Sequence, residues 1–270
     1  MIATLPERGW GADSKGVEVD SGIYLSATGA IAAEARLDVI ANNLANIETP
    51  GFKKSFTLQR ERPAEAFEPS RIQYRGRPEL DQVGGGLFIQ EVRFDATQGG
   101  ITQTGNDLDA AIQGEGWFGI AQGGETLYTR AGNFRRNAEG TLVTADGQGA
   151  VLDAAGGTIQ LPAVGTLEIG RDGTVTADGE PVGQIGVFGT LDPRQFEPEG
   201  GTLYRSKNGL LPPAEDFVVR GGMLERSTAE PVREMVKMIH TFRAYETNQR
   251  LIAMQDQSLG RAVNDVGRLA

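Results

Sequence analysis

Two pairs of aspartates have the side chains that glycoside hydrolysis needs, and they are the first candidates for chemistry in this sequence. The pairs are Asp107 with Asp109 and Asp172 with Asp178. All four lie at turn signals, where aspartate side chains bond to the backbone, so their positions are explained without catalysis. They match neither a calcium-binding loop nor a nonapeptide repeat. We therefore predict no catalytic carboxylate and no metal site.

The other groups that could support a reaction are isolated. His240 is the only histidine, and it falls inside a predicted helix, where we expect a structural residue that faces solvent or flanks a helix contact. Residues 114–119, GEGWFG, match GxGxxG in spacing only, because β-like residues and not a helix follow them. The absence of cysteine excludes disulfides, zinc-thiolate sites and cysteine nucleophiles. The sequence therefore predicts a protein that is not an enzyme and holds no cofactor.

Charge is distributed unevenly along the chain. The net charge of −10 argues against nucleic acid as the main partner. Residues 21–58 carry 3 basic and 3 acidic side chains, and residues 231–270 carry 6 and 4, so most of the acidic excess lies between them. Near-neutral ends can pack against copies of themselves while an acidic body stays soluble. An acidic solvated surface with no further meaning explains the charge equally well.

The sequence also bears on membranes and export. It contains no run of the roughly 18 apolar residues that a membrane helix needs. Residues 1–20 lack the apolar segment of a cleavable secretory signal, so we expect a route of export that needs no such signal.

Residues 22–46 have the spacing of a helix with a narrow apolar seam. The seam repeats at intervals of 3 and 4 residues and consists of Ala30, Ala33, Leu37, Ile40 and Leu44. Its small side chains permit close approach of another helix. We expect the helix to end near Asn46, because proline in Thr49-Pro50-Gly51 restricts the residue before it and glycine permits a turn.

Residues 231–268 predict a second helix, about 55 Å long at 1.5 Å per residue. An apolar side chain recurs every seven residues, at Met238, Tyr245, Ile252, Leu259 and Val266. We expect this stripe to be widened by Met235, Ile239, Phe242 and Val263. A second line is polar at Asn248, Gln249, Gln255 and Asp256. A narrow apolar edge of this kind suits a helix that finds its partners in an assembly.

Between the helices, residues 84–222 have the pattern of β structure. Short β-branched runs are separated by the turn dipeptides Glu139-Gly140, Asp146-Gly147, Asp172-Gly173 and Asp178-Gly179. Residues 140–147 resemble residues 173–179, which predicts two similar hairpins and not a solenoid, since no third copy occurs. Residues 52–83 lack periodicity and predict an extended connector.

Four stretches resemble the family of flagellar rod and hook axial proteins. Residues 41–53, ANNLANIETPGFK, look like its N-terminal signature, and residues 98–118 are similar to its Gln-Gly and Thr-Gly-Asn motifs. Residues 127–134, LYTRAGNF, and residues 243–248, RAYETN, resemble two further motifs. Trp117 stands where the family usually has phenylalanine, a change of volume that a core can absorb.

The resemblance covers about residues 21–268 and implies an α+β fold. A mainly antiparallel β domain would be flanked by long N- and C-terminal helices that pair as a coiled coil. The implied domains are an N-terminal extension at 1–20, a helical assembly domain from 21–51 and 228–270, an extended connector at 52–83, and a β-rich outer domain at 84–227.

The same resemblance implies a structural subunit of the flagellar basal-body rod. The subunit would polymerise through its terminal helices into a hollow helical shaft that transmits torque. Its partners would be other rod subunits, copies of itself and the flagellar type III export apparatus, with no nucleic acid and no small-molecule substrate. The implied location is the periplasmic rod. Residues 231–236 and 255–264 look most like the F-type proximal rod proteins, and the G-type distal rod or a hook-like axial subunit is the alternative.

The residues assigned to assembly, from the seams and from the family motifs, all lie in the two terminal segments. They are Ala30, Leu37, Ile40, Asn42, Asn43, Leu44, Asn46, Thr49, Gly51, Phe52, Met238, Phe242, Arg243, Tyr245, Glu246, Asn248, Ile252, Leu259 and Val266.

Two functions outside this family are left open by the residues alone. A secreted carbohydrate-active β enzyme would need two carboxylates about 5–10 Å apart in a cleft. An adhesin-like binding module fits the β region but leaves the seams of the terminal helices without a purpose.

Overall fold

The computed structural model describes residues 14–61, 87–189 and 192–267. The chain runs from helix α1, Ser14–Ala45, through β structure to helix α2, Pro231–Gly267. The strands are β1 Ser55–Glu61, β2 Leu87–Phe94, β3 Ile101–Gln103, β4 Ala110–Gly114, β5 Trp117–Gln122, β6 Glu125–Thr129, β7 Phe134–Arg136, β8 Leu142–Thr144, β9 Ala150–Val151, β10 Leu167–Ile169, β11 Thr174–Ala177, β12 Glu180–Gln184, β13 Val187–Phe188, β14 Phe196–Gly200, β15 Leu203–Ser206, β16 Phe217–Gly221 and β17 Met223–Glu225. The prediction of a mainly antiparallel β region between terminal helices is confirmed.

The first helix begins earlier than the sequence pattern indicated. We expected it from residue 21 or 22, but α1 begins at Ser14, so part of the predicted N-terminal extension is helical. No proline interrupts residues 14–20, and Gly16 alone is too weak a breaker to stop a helix. Residues 1–13 lie outside the described residues. At the other end, α1 stops at Ala45 and Asn46 donates its backbone N–H to the Asn42 carbonyl at 3.2 Å, as predicted.

The second helix has nearly the bounds that the sequence indicated. Pro231 is its first residue, where the missing N–H of proline leaves no bond unmade. The backbone N–H of Glu234 donates to the Glu230 carbonyl at 2.9 Å, which places Glu230 just before the first turn. Neither described helix is apolar enough over a sufficient length to cross a lipid bilayer.

The predicted connector at 52–83 is in part a strand. Ser55–Glu61 forms β1, which pairs with β2 in a two-stranded sheet. The sequence SFTLQRE alternates apolar and polar side chains over its first four residues, as a strand with one buried face does. The rest of the predicted connector, from residue 62, lies outside the described residues.

The β region contains one large sheet and three smaller ones, and every pairing from β3 to β17 is antiparallel. The large sheet has the order β14-β15-β6-β5-β9-β8-β7, and β13 also pairs with β5. A three-stranded sheet has the order β10-β11-β12. The pairs β16-β4 and β17-β3 bring the residues just before α2 back onto the start of the β region.

The predicted hairpins form, although in two different sheets. Asp178 and Gly179 both have positive φ, 51° and 87°, and connect β11 to β12 as a two-residue turn. Gly147 has φ 75° in the connection between β8 and β9. The two similar segments therefore supply the middle strands of two separate meanders, β7-β8-β9 and β10-β11-β12.

The apolar core lies between these sheets. Its most deeply buried side chains come from six strands of the large and small sheets and from one bridge residue, and they are Ile112, Phe118, Ile120, Leu142, Val151, Val175, Val219 and Ile185. Burial of aliphatic and aromatic side chains at such positions stabilises the fold by about 1.5–3 kcal/mol each.

A second cluster is aromatic and contains Trp117. Its indole ring lies 4.9 Å from Phe196 and 5.2 Å from Tyr204, measured between ring centroids. Phe94 packs edge-on against the same indole at 5.8 Å. The tryptophan that replaces the family's phenylalanine is therefore buried in a packed cluster.

The chain divides into two compact units. The first, called here the helix unit, comprises the described residues up to Asp38, within Thr57–Glu91, and from Met238 onward. The second, called the body unit, comprises Val39–Phe56 and Val92–Lys237. The division falls inside both helices, so the last turns of α1 and the first turns of α2 belong to the body unit.

Candidate assembly site

Within the helix unit, α1 and α2 approach each other at two glycines. A Cβ atom placed on Gly29 would lie 3.1 Å from both amide atoms of Asn248. A Cβ atom placed on Gly22 would lie 2.6 Å from Nε2 of Gln255. Because the more N-terminal glycine faces the more C-terminal amide, the two helices run antiparallel here.

The predicted seam of α1 lies on its buried side. Ala30 and Ile40 are buried, Leu37 and Leu44 are half-buried, and Ala32 and Ala33 are buried beside them. Alanine at these positions leaves little side-chain volume between helix axes.

The seam of α2 is less buried and more polar than that of α1. Met238, Tyr245, Ile252 and Leu259 are half-buried, and so are Asn248 and Gln255. Val266 belongs to α2, but its side chain lies outside the described residues.

The side chains predicted to widen the α2 seam are exposed. Met235, Ile239 and Phe242 are each more than half exposed, and Val263 is 68% exposed. Successive residues of an α-helix are rotated by about 100°, so Phe242 lies about 40° and Ile239 about 100° around the helix from Met238. Met235, Ile239 and Phe242 therefore form an exposed margin beside the half-buried seam.

The RAYE motif on α2 is divided between the two sides of the helix. Arg243 and Glu246 are exposed, and Glu246 pairs with Arg250 only at 4.0 Å. Tyr245 is half-buried, and its hydroxyl accepts a hydrogen bond from Nε2 of Gln249 at 3.1 Å.

The asparagines after the α1 seam have separate roles. Asn42 is exposed, and its carbonyl accepts from the Asn46 side chain at 2.9 Å. Thr49 donates its hydroxyl to Oδ1 of Asn46 at 3.1 Å, which closes the turn that follows the helix.

Asn43 is buried in the body unit and uses both ends of its amide. Its Oδ1 accepts from the Ser55 N–H at 2.7 Å, and its Nδ2 donates to the Ser55 carbonyl at 2.8 Å. Nδ2 also lies 3.3 Å from Oε2 of Glu234, a fully buried carboxylate in the first turns of α2. The other oxygen of Glu234 accepts from Lys237 at 2.6 Å. One asparagine thus connects the end of α1, the start of β1 and the start of α2.

Gly51 and Phe52 are held between two backbone segments. Gly51 has φ 67°, and a Cβ atom on it would lie 2.2 Å from the backbone of Arg130 and Ala131, so only glycine fits. Its N–H donates to the Glu225 carbonyl at 2.8 Å, and the Phe52 carbonyl accepts from Thr228 at 3.0 Å.

Below this segment lies a buried ionic cluster, defined by Lys53, Arg130 and Glu225. Nζ of Lys53 lies 2.5 Å from Oε1 of Glu225 and 2.6 Å from the carbonyl of Thr97. Nη1 of Arg130 lies 3.3 Å from Oε2 of Glu225. The N–H of Gly99 donates to Oε1 at 2.8 Å, so both carboxylate oxygens are bonded.

Arg130 extends the ionic cluster into the aromatic one. Its Nη2 donates to the Gly114 carbonyl at 2.9 Å, and its guanidinium lies 5.5 Å from the centroid of the Trp117 ring. A cation over an indole face is stabilised by the ring quadrupole.

Burial sets the protonation behaviour of the two cations. Desolvation lowers the pKa of Lys53 below its ordinary value, and the charge of Glu225 opposes part of that shift. Desolvation likewise lowers the pKa of Arg130, again opposed by Glu225. The single carboxylate is what makes two buried cations tolerable, because an unpaired buried charge is strongly unfavourable.

Three segments of the chain match models of known protein families. Residues 23–53 match the family model described as flagella basal body rod protein, and residues 111–177 match flagellar hook protein FlgE/F/G D1 domain. Residues 220–265 match flagellar basal body rod FlgEFG protein C-terminal.

Full-length relatives agree with the family models. The chain is 34% identical over 255 residues to the basal-body rod protein FlgF of Caulobacter vibrioides, covering 93% of this chain and 100% of the relative. It is 36% identical over 256 residues to FlgG of Agrobacterium fabrum, covering 87% and 95%. For FlgG of Bacillus subtilis the identity is 33% over 258 residues, covering 90% and 97%.

The chain belongs to the flagellar basal-body rod protein family. It is a structural rod protein of the F/G type, and its location is the flagellar basal body. The three family matches fall on α1 with the turn after it, on the β body, and on the strands and helix that follow.

Sequence reasoning found this rod protein's motifs but missed part of what they do. Lys53 and Arg130 lie within two of the family motifs, but nothing in the sequence spacing indicated that both form ion pairs with Glu225. Glu225 and Glu234 were not predicted at all. The one available signal for Glu225 is a lone carboxylate directly after the apolar pair Met223-Leu224.

Asp109 and Asp172, two of the residues first considered for chemistry, have structural partners in the rod protein. Asp109 accepts from Thr104 at 2.6 Å and from Asn106 at 2.9 Å, and Asp172 accepts twice from Thr174. The His240 side chain is exposed on α2. Among the described residues, no group of acidic or histidine side chains could hold a metal ion. A cleft beside Trp117 and Arg130 measures about 110 Å³, far below the roughly 300 Å³ of small ligand pockets.

Proposed function

We propose that this chain is an F-type subunit of the proximal rod, which polymerises through α1 and α2 into a hollow helical shaft and transmits torque. The proposal also covers the pairing of the terminal helices as a coiled coil. In this arrangement the helical assembly domain comprises 21–51 and 228–270, the connector 52–83, and the outer domain 84–227.

The observation that carries this proposal is the exposed apolar stripe of α2. Val232 is 76% exposed, Val236 48%, Ile239 53% and Phe242 52%. They lie beside Met238, Tyr245 and Ile252, which are half-buried. A helix whose apolar surface is only partly covered leaves apolar area exposed for contact with another chain.

The assembly residues predicted from the sequence are part of the same proposal. Ala30, Leu37 and Ile40 would pack inside the helix pair, and Met238, Tyr245 and Leu259 would face them. Phe242 would contact a neighbouring subunit because its ring is 52% exposed.

The F type is supported by residues 231–236 and 255–264, which look most like F-type members. The F-type relative from Caulobacter is covered over its whole length. Relatives of the G type are matched at similar identity, which makes the distal rod the second candidate. Export by the flagellar type III apparatus into the periplasm, without a cleavable signal, is part of the proposal, as is the absence of substrate turnover.

The deciding experiment is electron microscopy of purified basal bodies whose subunit carries a label on the β8–β9 turn at Gly147. We expect the label at the proximal rod. A label at the distal rod would assign the G type, and basal bodies without any label in the rod would refute a rod subunit.

A shortened chain tests which part assembles. We expect residues 39–237, which contain the body unit together with residues 57–91, to fold as a monomer because they retain Lys53, Arg130 and Glu225 together. Circular dichroism melting and sedimentation would report folding and size. A body unit that unfolds, or that polymerises without the helix unit, would contradict the proposal that the body unit folds by itself and the helix unit mediates assembly.

A further inference from the structure

The apolar seam of α2 cannot by itself specify how the terminal helices are aligned. Met238, Tyr245, Ile252 and Leu259 repeat every seven residues, so sliding one helix by seven residues returns the same line to the same place. An alignment therefore has to be fixed by contacts that differ from one heptad to the next.

The two glycine contacts occupy only two heptads, so a slip of seven residues keeps one glycine–amide contact and loses the other. Gly22 and Gly29 are seven residues apart, and so are Asn248 and Gln255, which face them in reverse order. Each amide side chain packs so close to a glycine that a Cβ atom at the glycine position would collide with it. The buried contact of Asn43 with Glu234 lies fourteen residues further along each helix and has the same register.

We propose that Gly22 and Gly29 are notches that receive Gln255 and Asn248, and that these pairs determine the register of the two terminal helices. The proposal rests on the pairing of these helices in the rod. In this proposal Asn248 and Gln255, which weaken the apolar seam of α2, specify how the two helices are aligned.

A slip of one heptad would keep one glycine–amide pair and lose the other in either direction. One slip places Gln255 opposite Gly29 but Asn248 opposite Arg36, whose side chain fills the notch. The other places Asn248 opposite Gly22 but Gly29 opposite Thr241. Both slips also separate Asn43 from Glu234, leaving two buried polar groups without each other.

Gly29 is the stronger of the two notches. Asn248 has a short side chain, and its Nδ2, Oδ1 and Cγ all lie within 3.3 Å of the position of a Cβ on Gly29. At Gly22 the nearest atom is the far end of the longer Gln255, which can withdraw more easily. Substitution at Gly29 should therefore have the larger effect.

The register can be measured directly because the chain has no cysteine. The full-length chain with Gly29→Cys and Asn248→Cys would place the new sulfur of residue 248 near the Cγ position, 3.3 Å from the Cβ of residue 29. That separation is within reach of a disulfide. Two off-register variants, Gly29→Cys with Gln255→Cys and Gly29→Cys with Thr241→Cys, report the two slips.

Each variant would be assembled into basal bodies, oxidised, and read by gel mobility and by mass spectrometry of the cross-linked peptides. We expect at least tenfold more cross-link within one chain for 29 with 248 than for either off-register pair. Equal cross-linking of the three pairs, preference for an off-register pair, or no cross-link in assembled subunits would overturn the proposal. If the cysteine-free chain itself does not enter basal bodies, the proposed function fails instead.

A second set of variants tests whether the notch is required. Gly29→Leu should lower incorporation into basal bodies about tenfold, because overpacking at the helix contact weakens pairing. Gly260→Leu is the matched control, since Gly260 lies on α2 with nothing within 4 Å of its Cβ position. The exchange Gly29→Asn with Asn248→Gly should restore incorporation by reversing notch and side chain. Equal loss for the Gly29 and Gly260 variants would also refute the notch.

Discussion

The body unit and the helix unit differ in how far they bury their side chains. In the body unit Lys53 and Glu225 are completely buried, and each oxygen of the carboxylate has bonded partners. Phe118 of the same unit is fully buried, whereas Met254 of the helix unit is 55% exposed. Among the described residues, both units contain buried polar atoms without a hydrogen-bond partner, for example Nε of Arg130 in the body unit.

The difference teaches which part of the chain is complete. The body unit pairs its buried cations with Glu225 and fills its core with its own residues, as a stable domain does. The helix unit leaves apolar side chains exposed to solvent, as expected for a segment that associates with another chain. Substitutions in the body unit should therefore change the free energy of unfolding, whereas substitutions on the outer face of α2 should change assembly.

The largest effect is expected from Glu225→Ala. It leaves Lys53 and Arg130 buried without a counter-charge and should lower the free energy of unfolding by about 3–5 kcal/mol. Urea denaturation followed by tryptophan fluorescence would measure it. Glu197→Ala, which removes the exposed pair with Lys207, is the control and should change stability by less than about 1 kcal/mol. Equal losses would show that burial of the ionic cluster has no special importance.

Gly51→Ala should destabilise nearly as much, by about 3 kcal/mol, because it combines a positive φ with a collision against the backbone of Arg130. Gly105→Ala separates the two causes. Gly105 has φ 76° but open space around it, so it should cost only about 1 kcal/mol. Thermal melting of both variants distinguishes them, and a similar fall in Tm would remove the argument from close approach.

Asn43→Ala should cost about 2 kcal/mol, since it leaves the backbone of Ser55 and the carboxylate of Glu234 without their buried partner. Asn42→Ala, at the exposed neighbour, should stay within about 0.5 kcal/mol. Chemical denaturation of the pair would show whether the second asparagine of the motif is a structural bond or only a helix-end residue.

The smallest effect on stability is expected at the outer face of α2. Phe242→Ser should change the free energy of unfolding by less than about 0.5 kcal/mol, because the ring is already half exposed. It should nevertheless reduce the amount of subunit found in purified basal bodies, measured by quantitative immunoblotting. Gln257→Ser, also exposed on α2, removes no apolar surface and serves as the control. Normal incorporation of the Phe242 variant would exclude its face from the subunit contact.

The sequence by itself determined the elements whose causes are local. Asp178-Gly179 specifies a two-residue hairpin because both residues tolerate positive φ, and the Thr49-Pro50-Gly51 break ends α1 where expected. The heptad spacing of Met238, Tyr245 and Ile252 located α2 to within a residue of its observed end. The early start of α1 was missed because the apolar spacing of 3 and 4 residues on which the prediction rests covers only residues 30–44.

Only the tertiary structure decided which distant residues form the buried ionic cluster. Lys53, Arg130 and Glu225 are separated by more than seventy residues at each step, and their types alone are those of ordinary surface side chains. Their burial depends on the pairing of β3 with β17 and on the close approach of Gly51 to Arg130. The face of α2 that carries Phe242 was likewise decided by packing, because a 3.6-residue helix turns neighbouring apolar positions toward different surroundings.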